Sequence, residues 1–287
     1  MRKLDFVLTE QENGRLVGKL VKSLCHVSAG QYAKIKTYEG VLLDGVSAHA
    51  NQRVRAGQTL SLLMPEENKQ GERGDLPIVY EDEDLLVIDK PAPLSTMRSP
   101  YQENGSLEEM VLRYLPAFRP VNRLDKGTSG LMVIAKNAYA QSVLQGRLHS
   151  ADFVRVYLAI VEGEPEQERG SIELPIGKIS EDSVKRAVRP EGKSCRTDYE
   201  VLERGNGRSL VRLYLSTGRT HQIRVHMAAL GTPVAGDYLY GTPLKGLPNR
   251  FALHSTYLRL FQPVSGKLIE CTSPMPEMLM QLLKSGA

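Results

Sequence analysis

The sequence predicts an α+β protein made of a small N-terminal module, a polar tether and a larger region dominated by strand-length apolar runs. Three observations predict it. Leu16, Leu20, Val21 and Leu24 recur at helical spacing near the start of the chain. Residues 66–75 carry no apolar side chain and include Gly71 and Gly74, so they cannot bury surface and read as a linker. Beyond them, Leu131 to Ala135 and Val156 to Val161 are near-continuous apolar runs of strand length. The expected organisation is therefore a module over 1–65, a linker over 66–75 and a main domain over 76–287, sizes usual for domains.

In the module, the helix through Leu16–Leu24 is followed by Ser28, a cap for a second short helix from Gln31 to Tyr38 that Gly40 stops. Val41-Leu42-Leu43 reads as a strand, Asp44-Gly45 as a turn, and Thr59 to Met64 as a strand entered through Ala56-Gly57. Past the linker, Ile78 to Ile88 reads as two strands around the acidic turn Glu81–Asp84 and leads to Lys90-Pro91. The polar segment Asn122–Gly130 precedes the strand 131–135. Arg155 to Gly163 forms another buried strand. Leu213 and Leu215 lead to a turn at Gly218, after which Thr220 is expected to cap a helix running to about Leu230 and ended by Gly231.

With 287 residues and 41% apolar content the chain can bury a sizeable core. Cys25, Cys195 and Cys271 are widely spaced with no C-x-x-C pair, which indicates neither a disulfide framework nor a zinc site. No apolar run approaches the roughly 20 residues of a membrane span, and no long apolar stretch follows the first basic residues. A cytoplasmic, membrane-free protein is expected. The net charge of +4 permits a polyanionic partner. Its distribution is more telling: from Arg15 to Leu60, Arg15, Lys19, Lys22, Lys34, Lys36, Arg53 and Arg55 face only Glu39 and Asp44.

The chemistry concentrates in Val121–Lys136. Asp125 stands between Arg123 and the turn Gly127-Thr128-Ser129-Gly130, so a single carboxylate is presented on a loop anchored by a buried strand. An ordinary surface ion pair between Arg123 and Asp125 would leave the same trace. Ser129 is not a hydrolase nucleophile, because G-x-S-x-G needs glycine where Leu131 stands. The predicted helix N-terminus near Thr220, with Arg219 beside it and Arg224 a turn later, suits a phosphate or a carboxylate. His221 and His226 diverge by roughly 140° on a helix and make a poor metal pair.

Lys90-Pro91, Arg123-Leu124-Asp125, Thr128-Ser129-Gly130, Ala135-Lys136, the segment around Tyr157, and Thr217-Gly218-Arg219 with His221-Gln222-Ile223-Arg224 together resemble the RluA family of pseudouridine synthases, from about Val79 to His254. The chain departs from that pattern at Asn122, where many members have His, and at Ala92–Met97 after the Lys-Pro pair. The resemblance implies a mixed, mainly antiparallel β-sheet flanked by helices and loops. It implies isomerisation of uridine in large-subunit ribosomal RNA or transfer RNA. Asp125 would be the nucleophile, at the anomeric carbon or at carbon 6 of the ring, with Arg224 as its ion-pair partner. Tyr157 would lie against the target base, Ile223 against the uracil, and Arg123 in the gap left by the extruded nucleotide. Arg219, His221 and Lys90 are the other expected substrate contacts. The glycosidic bond moves from nitrogen to carbon with nothing gained or lost, so neither cofactor nor metal is required. The N-terminal helices, the G-V-L-L-D-G hairpin and the R-A-G-Q-T-L strand entry resemble the S-four-type RNA-binding module, with Arg15, Lys19, Lys34, Lys36 and Arg53 as its expected contacts. A monomer is expected. A non-catalytic RNA-binding or ribosome-assembly factor is the alternative, against which the intact set Asp125, Arg123, Tyr157 and Arg224 argues.

Overall fold

The computed structural model describes residues 1–65, 70–99 and 105–284. The chain starts with a strand that composition hides, β1 (Arg2–Val7), followed by α1 (Val17–Ser23), α2 (Ala29–Thr37), β2 (Val41–Leu43), β3 (Val46–Ser47) and β4 (Thr59–Met64). These strands form one antiparallel sheet in the order β1-β4-β2-β3. α2 begins at a full capping box, in which Ser28 accepts from the Gln31 amide while the Gln31 side chain accepts from the Ser28 amide. Leu4, Val17, Leu20, Val21, Ile35, Leu60 and Leu62 make a core that also takes in Tyr139 and Val143 from the larger part of the chain.

That larger part contributes β5 (Ile78–Glu81), β6 (Leu85–Lys90), α3 (Leu107–Tyr114), β7 (Ser129–Ala135), α4 (Ala138–Arg147), β8 (Phe153–Glu162) and β9 (Arg169–Ile172). It continues through β10 (Ile176–Lys178), β11 (Arg186–Val188), β12 (Thr197–Gly205), β13 (Arg208–Leu215), α5 (Gln222–Ala229), β14 (Leu253–Phe261), β15 (Leu268–Thr272) and α6 (Glu277–Lys284). A nine-stranded sheet runs β5-β6-β7-β14-β8-β13-β12-β9, with β15 on β14; its β7–β14 pair is parallel and its other pairs are antiparallel. The expected mixed, mainly antiparallel α+β class is thus the observed one.

Both faces of its centre are covered, which explains the uninterrupted apolar runs. Leu86, Ile88, Met132 and Ile134 belong to one core cluster and Leu85, Val87, Leu131 and Val133 to another, in strict strand alternation. The acidic stretch Glu81–Asp84 does more than turn the chain. Asp82 accepts from the amides of Asp84 and Leu85, and fully buried Asp84 receives Arg2, Asn137 and Gln262, tying β1 to the large sheet. Of the expected linker, 66–69 lie outside the described residues; Gly71 donates to the Tyr114 carbonyl at 2.8 Å, so its second half is laid against the end of α3. No helix among the described residues is long and apolar enough to cross a membrane.

Candidate active site

Asp125 stands on the loop that enters β7, and two glycines fix that entry. Gly130 has φ +107°, and a Cβ there would lie 2.3 Å from the Ser255 carbonyl oxygen, so only glycine lets β7 approach β14 this closely. A Cβ at Gly127 would strike the Phe251 ring at 2.5 Å. The segment after Lys90 then straps the loop on both sides of Asp125. Leu94 N–H donates to the Lys126 carbonyl at 3.1 Å, and Thr96 Oγ1 donates to the Leu124 carbonyl at 2.6 Å.

Arg224 reaches Asp125 from α5. The helix starts at Gln222, not at a Thr220 cap: His221 takes a left-handed φ of 59°, and the Gln222 side chain organises the turn instead. Gln222 Oε1 accepts from the Arg219 amide (3.0 Å) and Thr217 Oγ1 (2.8 Å), while Nε2 donates to the Arg196 carbonyl (2.9 Å) and Thr197 Oγ1 (3.0 Å). This start aims Arg224 inward. Its Nη1 donates to Asp125 Oδ2 at 2.9 Å, and its Nε and Nη2 grip both oxygens of fully buried Asp237 at 2.6 and 2.8 Å. The guanidinium carbon lies 4.1 Å from the Phe251 ring centroid. Burial works against the cation, but the bonds from Asp237 and Asp125 outweigh it and raise its pKa above the ordinary arginine value.

Asp125 is part-exposed, so a carboxylate tethered at one oxygen by a buried arginine faces solvent with the rest of its surface. His221 Nε2 is 3.9 Å from Asp125 Oδ2, and its Nδ1 is 2.8 Å from Tyr240 Oη, which also accepts from the Arg186 amide. Burial lowers the His221 pKa, with Asp125 acting the other way. A recess of about 60 Å³ is lined by Asp125, Tyr157, His221, Ile223, Arg224 and Leu253. It adjoins a cleft of about 720 Å³ whose lining includes Arg123, Arg155, Arg186 and Arg219 but, among the described residues, a single acid, Asp125. Such a wall attracts a polyanion.

Thus Asp125, Arg224, Tyr157, Arg123, Ile223, Arg219 and His221 converge on one place. No ion pair joins Arg123 to Asp125; Arg123 is exposed and has no carboxylate partner among the described residues. Lys90 stands apart from this group. It is fully buried, its ammonium donates to the carbonyls of Pro91 (2.9 Å) and Leu94 (2.8 Å), and it lines neither the cleft nor the recess, because it serves the strap behind Asp125. Burial pushes its pKa down to about 7.

The expected contacts of the module divide. Arg15 and Arg53 flank the bridge between Leu16 and Arg53, Arg15 bonding Ser23 Oγ and Arg53 the Gly14 carbonyl, with Lys19 exposed on α1. Lys34 lines a crevice of about 310 Å³ between the module and Arg119, Lys136 and Tyr139, whereas Lys36 lies over the Tyr32 ring. Two residues apart on a helix point to nearly opposite sides, so α2 cannot present both lysines to one ligand face.

Sequence reasoning missed Asp237 and Arg155. Asp237 lies in Gly236-Asp237-Tyr238-Leu239-Tyr240-Gly241, a segment whose match to the family pattern was readable but whose carboxylate had no visible partner. Arg155 lies two residues before Tyr157, and strand alternation alone places both on one side of β8.

A buried arginine holding a lone carboxylate at the floor of a cationic cleft, on a mixed sheet, defines a class of enzyme that acts on a polyanion. Residues 84–229 match the family described as RNA pseudouridylate synthase. A Bacillus subtilis protein named uncharacterized RNA pseudouridine synthase YlyB is 33% identical over 99% of this chain and 98% of its own length. Ribosomal large subunit pseudouridine synthase D of Escherichia coli K12 is 36% identical, covering 85% of this chain and 82% of its own. Among solved structures, human RNA pseudouridylate synthase domain containing 1 aligns with a TM-score of 0.59 and 29% identity, covering 76% of this chain and 98% of its own. The chain belongs to the RNA pseudouridylate synthase family and is an isomerase that converts uridine to pseudouridine in RNA.

Proposed function

We propose that the chain modifies uridine in large-subunit ribosomal RNA, with Asp125 as nucleophile. The observation that carries this reading is the 2.9 Å bond from buried Arg224 to part-exposed Asp125 in a cleft that holds no second acid among the described residues. The arginine fixes the carboxylate in place, and the carboxylate attacks either the anomeric carbon or carbon 6 of the extruded uridine. Tyr157 offers its ring to the base, Ile223 closes the recess over the uracil, and exposed Arg123 fills the vacated stack. Arg219 and His221 contact the same nucleotide from the turn before α5. The relatives named for the large ribosomal subunit support that substrate over transfer RNA.

Residues 1–65 act as the S-four-type grip, joined through 66–75 to the catalytic domain 76–287. Arg15, Lys19 and Arg53 make one phosphate-facing side, with Lys34 and Lys36 as further contacts on separate sides of α2, supported by the basic excess of this segment. The enzyme works as a cytoplasmic monomer without metal or cofactor. Mapping pseudouridines across all RNAs in a strain lacking this chain tests the assignment. Loss of one or more sites in large-subunit ribosomal RNA is expected; loss confined to transfer RNA would overturn it.

A further inference from the structure

Arg155 is a buried cation without a counter-ion. It is 3% exposed, its Nη2 donates to the carbonyls of Leu148 (3.0 Å) and Leu215 (3.4 Å), its Nε has no partner, and no carboxylate pairs with it among the described residues. Burial lowers its pKa. A buried charge held by two carbonyls and, at 5.8 Å, the Phe153 ring is costly unless an anion completes it. The side chain lines the 720 Å³ cleft, and Asp125, the acid of that cleft, is taken by Arg224.

Gly218 shows where such an anion would enter. Its φ lies outside the left-handed region, so backbone freedom does not explain a glycine here. A Cβ at this position would instead stand 3.2 Å from Arg155 Nη1. A side chain at 218 would crowd that nitrogen, while glycine leaves the space beside it unfilled next to Arg219, which is itself exposed and whose guanidinium engages, among the described residues, the Ser194 carbonyl at 3.4 Å. Two guanidinium groups thus line one cleft, the first held by two carbonyls and the second exposed at its rim. A phosphodiester fits this arrangement, because guanidinium N–H pairs match its oxygens.

We propose that Arg155, Gly218 and Arg219 form a phosphate pocket for the RNA backbone, beside and distinct from the recess that takes the base. Arg155 and Tyr157 are two residues apart on one side of β8, about 7 Å along the strand. The phosphate held there therefore belongs to a nucleotide next to the uridine lying on Tyr157. The pocket sets the register of the strand relative to Asp125 and reads no base.

The proposal rests on the RNA synthase reading, and its test separates the two. A synthetic large-subunit ribosomal RNA hairpin that the enzyme modifies is prepared with single methylphosphonates at successive positions around the target uridine. Binding by the wild-type protein and by Gly218→Ala is measured. One linkage adjacent to the target should weaken wild-type binding about 10-fold when neutralised. Gly218→Ala should bind the unmodified hairpin about 10-fold more weakly, be indifferent to that same linkage, and show a salt slope smaller by about 0.7–0.9. Arg155→Met should lose sensitivity at the same linkage. If neutralisation costs are the same in wild type and both variants at every position, the pocket is overturned while the synthase reading stands. If the wild-type protein isomerises no uridine in any hairpin, both fall.

Discussion

Arg224 and Asp237 form a two-point pair, with Nε to Oδ2 at 2.6 Å and Nη2 to Oδ1 at 2.8 Å, and both side chains are buried. Asp237 is held in turn by the amides of Leu239 (3.0 Å) and Tyr240 (3.3 Å). This leaves one face of the guanidinium, Nη1, for Asp125. Removing Asp237 leaves the buried cation with only the single bond to part-exposed Asp125, and breaking a buried pair in this way costs about 3–5 kcal/mol. Asp237→Ala should lower the denaturant midpoint accordingly and abolish turnover, whereas Asp237→Asn should retain more of the stability. Equal stability of wild type and Asp237→Ala would refute the pair's role.

Arg224→Lys keeps a positive charge but cannot hold two carboxylates at once. Single-turnover rates on a modifiable RNA should fall about 100-fold, the scale for losing one fixed electrostatic partner. A rate within threefold of wild type would show that the geometry of the guanidinium is dispensable.

Lys90 makes stability pH-dependent. Its folded-state pKa is about 7, well below the ordinary lysine value of about 10.4, so between those limits the unfolded chain binds a proton that the folded chain lacks. Its contribution to stability therefore rises with pH from about 7 upward, by about 1 kcal/mol per unit. Denaturant titrations of wild type and Lys90→Met between pH 7 and 9 should show the wild type gaining on the variant as pH rises. A constant gap would mean that the ammonium is not penalised by burial.

Gly130→Ala places a Cβ against the Ser255 backbone at a positive φ. It should cost at least about 2 kcal/mol, read as a lowered melting temperature. Gly45→Ala, also at positive φ but with open space around its Cβ position, should cost less. The difference between the two isolates the β7–β14 contact from backbone strain.

What the sequence made legible follows from how local the causes are. β7 reads directly because both its faces are buried, and α2 because Ser28 and Gln31 cap it within one turn. β1 does not: Arg2, Lys3 and Asp5 break its apolar pattern, and it exists because β4 pairs with it from the far end of the module. α3 carries a readable signal in Ser106 and Glu109, which form its capping box. The Thr220 cap fails because a left-handed His221 moves the helix start past it, and no local pattern announces that φ. Within the site, Asp125 and Arg224 are visible in their motifs. Asp237 became meaningful only once the loop after α5 folded back over Arg224, and Lys90 left the substrate surface because its ammonium is consumed by Pro91 and Leu94.

In the proposed mechanism Asp125 does the chemistry and Arg224 holds it in place. Asp125→Asn preserves shape and hydrogen-bonding capacity while removing the charge that attacks. Incubated with uridine-5-tritiated ribosomal RNA beside wild type, it should release no tritium above background while its RNA affinity stays within about twofold. Tritium release at the wild-type rate would rule out Asp125 as the nucleophile.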